Sequence, residues 1–191
     1  MRTSKSMSDA QPRGYPGEPG LWIFLLADMV TFAVFFVLVL VERAEDPELF
    51  RRSSGQLEVG LGALNTLLLL GGSLAVILAV GAARRGAASA PRHVLAAMAC
   101  GVGFVGVKAF EWGSKIADGT PVSTNGFWQL YYALTGIHLL HVLIGIGVLG
   151  FVLRTLRSPT PNLDVVDGGA CYWHLVDLLW LVLFSLLYLL G

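Results

Sequence analysis

The stretch that decides the fold is residues 131–147, YYALTGIHLLHVLIGIG, a long apolar run that also contains His138 and His141. A run of this length and composition is typical of a helix embedded in hydrocarbon. Imidazoles are costly in that setting unless they face other protein groups or water. We therefore expect the other segments of the chain to supply partners for these two histidines.

Apolar runs of similar length recur along the chain of 191 residues, of which 55% are hydrophobic and only 14% charged. About 20 apolar residues cross a bilayer as a helix. Each run is continuous, whereas the strands of a barrel alternate, so helices are favoured. The sequence predicts an all-α membrane protein, a bundle of five transmembrane helices at residues 21–41, 59–83, 94–116, 127–153 and 170–190.

The ends and connections of the chain are polar. Residues 1–19 are rich in Pro and Gly and lack the apolar core of a signal peptide, so they are predicted to be a cytoplasmic tail. The longest connections, 42–58 and 155–169, are too short to separate domains. Residues 20–191 are therefore predicted to form a single transmembrane domain.

Charge and cysteine content narrow the possibilities further. The formal net charge is zero, which gives no sign of a nucleic-acid partner. Cys100 and Cys171 lack the spacing of a disulfide framework and are expected to be buried thiols. Cytoplasmic connections carry an excess of Lys and Arg, which here predicts a cytoplasmic N-terminus and an outer C-terminus. The basic residues on the cytoplasmic side are Arg2, Lys5, Arg13, Arg84, Arg85, Arg92, Arg154 and Arg157.

Ionisable side chains inside the predicted spans are the candidates for a functional site. A charge at mid-span costs about 2.5–3.5 kcal/mol on insertion scales, so these side chains should face the bundle interior, another subunit or a water-filled cavity. Two uncharged residues join the candidates: Asn65 lies at the predicted depth of Glu111, and Tyr131 lies on the same helix face as His138 and His141. The ionisable residues are Asp28, Lys108, Glu111, His138, His141, His174 and Asp177.

Spacing and depth suggest partners for some of these residues. Glu111 is predicted to pair with Lys108, three residues before it, or with Asn65 or His138. Asp28 is the only charge in its span, so only a tertiary contact or a second protein can partner it. The residues predicted to lie in the cytoplasmic half are Asp28, His141, His174 and Asp177.

Three interpretations of this set stay open. In the first, the side chains only hydrogen-bond one another and fix the register of the helices. In the second, His-x-x-His and His-x-x-Asp on two helices hold a non-haem metal together with Asp28, although the Glu-x-x-His motifs of di-iron bundles are absent. In the third, Asp28 is a buried carboxylate that relays protons. No phosphate-binding loop, nucleophile signature or haem attachment motif C-x-x-C-H is present.

Several motifs together resemble subunit III of the haem–copper oxidases, over all five spans. GLWIFLLADMVTFAVFF at 20–36 is similar to the helix that carries the buried, carbodiimide-reactive carboxylate of that family, and Asp28 falls at that position. LNT at 64–66 and KAFEW at 108–112 are similar to further family motifs. The most specific ones are TGIHLLHVLIG at 135–145 and YWHLVDLLWLVLF at 172–184.

The chain departs from the longer members of that family in two ways. The first two of their seven helices, which form one wall of a lipid-holding cleft, have no counterpart here. The family carboxylate is usually Glu, and Asp28 is one methylene shorter. The short form, PGEPGLW at 16–22 and Asp28 together are most similar to the NorE-type proteins of bacterial nitric oxide reductase systems. A short subunit III of an aerobic cytochrome c or quinol oxidase is the alternative.

The resemblance implies a non-catalytic accessory subunit of the bacterial cytoplasmic (inner) membrane, in contact with membrane lipids. It implies no cofactor on this chain, and haem and metal on a catalytic partner subunit. The expected role is assembly, stability or sustained turnover of that partner in respiration or denitrification, with support of proton uptake in an aerobic oxidase. Asp28 is then expected at or near the face that contacts the partner. An independent proton-coupled transporter and a metal-dependent membrane enzyme are the remaining alternatives.

Overall fold

The apolar runs form helices in the computed structural model, which describes residues 19–190. Five of the helices are long and apolar enough to cross a membrane, as predicted. Residues 1–18 of the predicted tail lie outside the described part, and the orientation of the termini stays a prediction. The helices are α1 (Pro19–Glu45), α2 (Pro47–Ser54), α3 (Val59–Arg84), α4 (Ala90–Ala117), α5 (Gly126–Leu156) and α6 (Leu163–Phe184), and a π-helical turn, Ser185–Leu189, follows.

The first connection, for which the sequence predicted no helix, contains the additional short helix α2. Asp46 caps this helix, because its carboxylate accepts a hydrogen bond from the N–H of Leu49 at 3.0 Å, and Pro47 occupies the first helical position. Phe50 is buried and packs edge-to-face on Phe127, with ring centroids 5.0 Å apart. Two adjacent apolar residues, Leu49 and Phe50, in an otherwise polar octapeptide are too weak a periodic signal to predict a helix.

The last connection is also shorter than predicted, because α6 begins at Leu163 instead of residue 170. The side chain of Asn162 accepts a hydrogen bond from the N–H of Asp164 at 2.9 Å and so starts the helix. The glycine pair in this stretch favoured a connection, but Gly169 serves helix packing. A Cβ at Gly169 would lie 2.6 Å from Cγ2 of Val152 on α5, so only glycine permits this approach.

The helices α3 to α6 form a ring around the core. Consecutive helices contact one another, and α6 closes the ring by packing on α3. The first helix, α1, lies outside this ring in the groove between α5 and α6. The short helix α2 contacts α1 and α5 at the end of the bundle where α5 begins. Side chains of α1 that point inward therefore face α5 and α6, and most of its surface is exposed.

A buried tryptophan fills the space between four helices of the ring. The ring of Trp173 on α6 is fully buried. A Cβ added at Gly72, Gly101 or Gly145, on α3, α4 and α5, would come within 3.2, 2.8 and 3.2 Å of this ring. Glycine at these positions lets the helices close around the indole, which is the packing role that small residues have between transmembrane helices.

Candidate functional site

The largest polar cluster of the core is built around Lys108, whose side chain is completely buried. Its Nζ donates to Glu111 at 3.0 Å, to the hydroxyl of Tyr131 at 3.2 Å and to the hydroxyl of Tyr188 at 2.7 Å. The Tyr188 hydroxyl in turn donates to the other oxygen of Glu111 at 2.6 Å. All three N–H donors of the ammonium group therefore have acceptors within a closed network.

Aromatic rings surround the same amine. Nζ of Lys108 lies 4.8 Å from the ring centroid of Tyr131, 5.2 Å from that of Trp180 and 5.3 Å from that of Tyr188. Ring faces attract cations at this range. The π-helical turn Ser185–Leu189 carries Tyr188 at the end of α6. This arrangement neutralises the buried charge and ties α4, α5 and α6 together, which is a structural role.

Asp28 has a partner within the chain. Its Oδ1 lies 2.9 Å from Nε2 of His141 on α5, and both side chains are about nine-tenths buried. The ring of Phe32, one turn further along α1, packs edge-to-face on the same imidazole at 5.4 Å. The Tyr172 hydroxyl of α6 donates to the backbone carbonyl of His141 at 3.4 Å. The pair therefore attaches α1 to the ring of helices.

A third polar group lies between α3 and α6. Nδ1 of His174 and the hydroxyl of Ser73 are 2.6 Å apart. Asp177, one turn further along α6, is only 5% exposed and lies beside the same serine. Neither of its oxygens accepts a hydrogen bond of standard geometry from the described residues. This cluster thus contains a buried carboxylate whose hydrogen-bonding capacity is largely unused.

His138 and Asn65 are the remaining predicted residues, and both are completely buried. The imidazole of His138 lies between the rings of Phe104 and Trp180, at 5.5 and 5.3 Å. Among the described residues, neither its nitrogens nor the amide atoms of Asn65 have a hydrogen-bond partner. The Trp180 indole N–H donates to the hydroxyl of Thr66, next to Asn65, at 3.0 Å.

The structure therefore distributes the predicted residues over separate places. Glu111 pairs with Lys108, but Asn65 and His138 take no part in that pair. His138 and His141 are three residues apart, yet one faces the core of the ring and the other faces α1. Because the histidines separate in this way, no three His, Cys, Asp or Glu residues within 19–190 are arranged to hold a metal ion.

Two contributors were missed by the sequence reasoning. Tyr188 was passed over because a tyrosine near the end of an apolar helix is commonly an interfacial residue. Ser73 was passed over because a hydroxyl in a transmembrane helix usually bonds to its own backbone. No α-helical spacing along α6 indicated Tyr188, because the turn that carries it, Ser185–Leu189, is π-helical.

The family model for cytochrome c oxidase subunit III matches residues 18–191 of the chain. The chain belongs to this family. It is 33% identical to the quinol oxidase subunit 3 of Bacillus subtilis (strain 168), over 90% of this chain and 86% of that protein. It is 32% identical to the cytochrome c oxidase subunit 3 of Thermostichus vulcanus, with the same coverage of both chains.

A further relative has a different organisation. The heme-copper oxidase subunit I+III of Aeropyrum pernix is 28% identical to this chain. The match covers 88% of this chain but only 22% of that longer protein. The family predicted from the sequence motifs is thus confirmed, and so is the prediction that the chain is a multi-pass membrane protein. The relatives are oxidase subunits, so the finer association with nitric oxide reductase stays a prediction.

Proposed function

We propose that this chain is the subunit III of an aerobic terminal oxidase of the quinol or cytochrome c type. It lies in the bacterial cytoplasmic membrane and associates with a catalytic subunit I, which carries the haem and the metal. The observation that carries this proposal is the match over nearly the whole chain to proteins named quinol oxidase subunit 3 and cytochrome c oxidase subunit 3. Support for assembly, stability and sustained proton uptake is the role we assign to it.

The geometry of the polar clusters supports an accessory role. Lys108 and Glu111 are completely buried, and the tyrosines of the network satisfy their hydrogen bonds. Asp28 is the candidate carboxylate on α1, its side chain is 10% exposed, and its second oxygen has no partner within the described residues. A contact with His141 through one oxygen, and a buried second oxygen that lacks a donor among the described residues, suit a group that exchanges protons.

Association with a nitric oxide reductase is the second candidate. It rests on the stretch at 16–22 and on Asp28 in place of Glu. The short form of the chain does not favour it, because the oxidase subunits of Bacillus subtilis and Thermostichus vulcanus are each matched over 86% of their length. A five-helix subunit III is therefore compatible with an oxidase.

Deletion of the gene tests the role and separates the two candidates. We expect membranes without this chain to start quinol or cytochrome c oxidation at a normal rate per haem and then lose activity faster during turnover. Complementation with the wild-type chain is the control. Normal persistence of oxygen consumption, together with altered nitric oxide consumption, would overturn the oxidase assignment in favour of the second candidate.

A further inference from the structure

A cavity of about 240 Å³ lies between α3 and α6, outside the clusters that the proposed function uses. Its walls are apolar and include Ile77, Val80 and Ala170. Its end is polar, because Nη2 of Arg84 lies 3.0 Å from both carboxylate oxygens of Asp167 there. We call this cavity the α3–α6 groove.

The groove leads from the end of the bundle into the span. His174 also lines it, seven residues after Asp167 on α6, which is about 10 Å along the helix. Asp177 lies a further turn along, about 15 Å from Asp167. This distance is half the thickness of a hydrocarbon core of about 30 Å. His174 is hydrogen-bonded to Ser73, and Ser73 lies beside Asp177. The groove therefore ends at His174, which lines it, and Ser73 and Asp177 lie behind this histidine outside the lining of the groove.

The cluster at the inner end of the groove needs hydrogen-bond donors. Asp177 is 5% exposed, and the described residues donate no hydrogen bond of standard geometry to either of its oxygens. A carboxylate or carboxylic acid removed from water is stable only if its hydrogen bonds are replaced. Water bridges polar groups in cavities that are roomy enough and lined by such groups, and this groove has space for several water molecules.

We propose that the α3–α6 groove holds water and hydrates the Ser73–His174–Asp177 cluster from one end of the bundle. It is then an aqueous half-channel that ends at a buried carboxylate near mid-membrane. An acyl chain is the competing occupant, because the walls are apolar and the groove opens sideways. Water is favoured because an acyl chain would leave the second ring nitrogen of His174, which Ser73 does not reach, without a hydrogen-bond partner, while Arg84 and Asp167 keep the outer end polar. This inference does not depend on the partner subunit.

The two free cysteines of the chain allow a direct test. Cys171 lines the groove, whereas Cys100 lies on α4 beside Gly71 of α3. Both are partly buried, and each lies some ten residues into its helix, so they are matched in depth. The full chain, with its co-purifying subunits, is placed in lipid nanodiscs and treated with a charged methanethiosulfonate, and modification is followed by mass spectrometry.

A hydrated groove predicts that Cys171 is modified at least about tenfold faster than Cys100, because the reactive thiolate forms where water reaches the sulfur. Val80→Trp fills the groove and should abolish that difference without touching the polar cluster. Equal and slow modification of both cysteines by the charged reagent would overturn the proposal. An acyl chain in the groove would give this result, because it keeps the sulfur of Cys171 away from water and in its unreactive thiol form.

A second variant tests the inner end. Ser73→Cys in a Cys100→Ser, Cys171→Ser background places a thiol beside His174. We expect the charged reagent to modify it, more slowly than Cys171 in the wild type. No modification of this thiol, in a protein that folds and assembles normally, would show that water stops before the cluster and would refute the half-channel.

Discussion

Removing the amine of Lys108 should destabilise the bundle strongly. Lys108→Met keeps the aliphatic stem and deletes three hydrogen bonds, of 3.0, 3.2 and 2.7 Å. Glu111 then remains buried with the Tyr188 hydroxyl as its one remaining donor in the network. Breaking a buried ion pair by removing one partner costs about 3–5 kcal/mol. For a chain of this length, that corresponds to a fall in Tm of roughly 6–20 °C.

The assay is thermal unfolding of purified protein in detergent, followed by tryptophan fluorescence. Lys115→Met is the matched control on the same helix. The nearest carboxylate to Lys115 is that of Asp118, at 3.9 Å, and Asp118 is 61% exposed. Water replaces such a partner, so the control should lose no more than about 1 kcal/mol.

A double-mutant cycle then tests whether the network acts as a unit. The double variant Lys108→Met, Glu111→Leu removes both charges together, so no uncompensated charge remains. The double variant should lose less unfolding free energy than the two single variants lose together, by roughly 1–3 kcal/mol. Strict additivity, or a Lys108→Met protein as stable as the Lys115→Met control, would refute the account of the buried network.

Further predictions concern helix packing and the pair on α1. Gly101→Ala should lower stability by about 1–3 kcal/mol, because the new Cβ meets the ring of Trp173 at 2.8 Å. The control Gly106→Ala has open space around it and should be neutral or slightly stabilising. Thermal unfolding measures both effects. Asp28→Asn weakens the contact with His141 at 2.9 Å but conserves shape. We expect that variant to assemble with its partner but to differ from wild type in inactivation during turnover, measured as the decay of oxygen consumption. Decay that matches the wild type would assign the pair a structural role.

The spans could be predicted because hydrocarbon imposes long apolar runs. The intramembrane polar residues could be identified for the same reason, since each stands out against such a run. Their depth is predicted from the rise of the helix, which places Glu111 at a different level from Asp28 and His141. The pairing of Lys108 with Glu111 followed from a spacing of three residues on one helix.

Contacts between helices could not be predicted because they depend on the rotation of each helix about its axis. A rotation of about 60° separates His138 from His141 and sends one to the core and the other to Asp28. The short helix α2 was missed because its cap and two adjacent apolar residues, Leu49 and Phe50, give no periodic apolar pattern in the sequence. Tyr188 was missed because its position depends on the π-helical turn at the end of α6.

The central claim, that this chain is a subunit of a haem–copper oxidase, is tested most directly by affinity purification from native membranes in mild detergent. Haem spectra, metal analysis and partner identification are then carried out on the eluate. We predict that a catalytic subunit with haem and copper co-purifies and consumes oxygen. Recovery of this chain alone and free of haem would contradict the claim, and recovery with a haem- and iron-containing nitric oxide reductase would replace the oxidase by the second candidate.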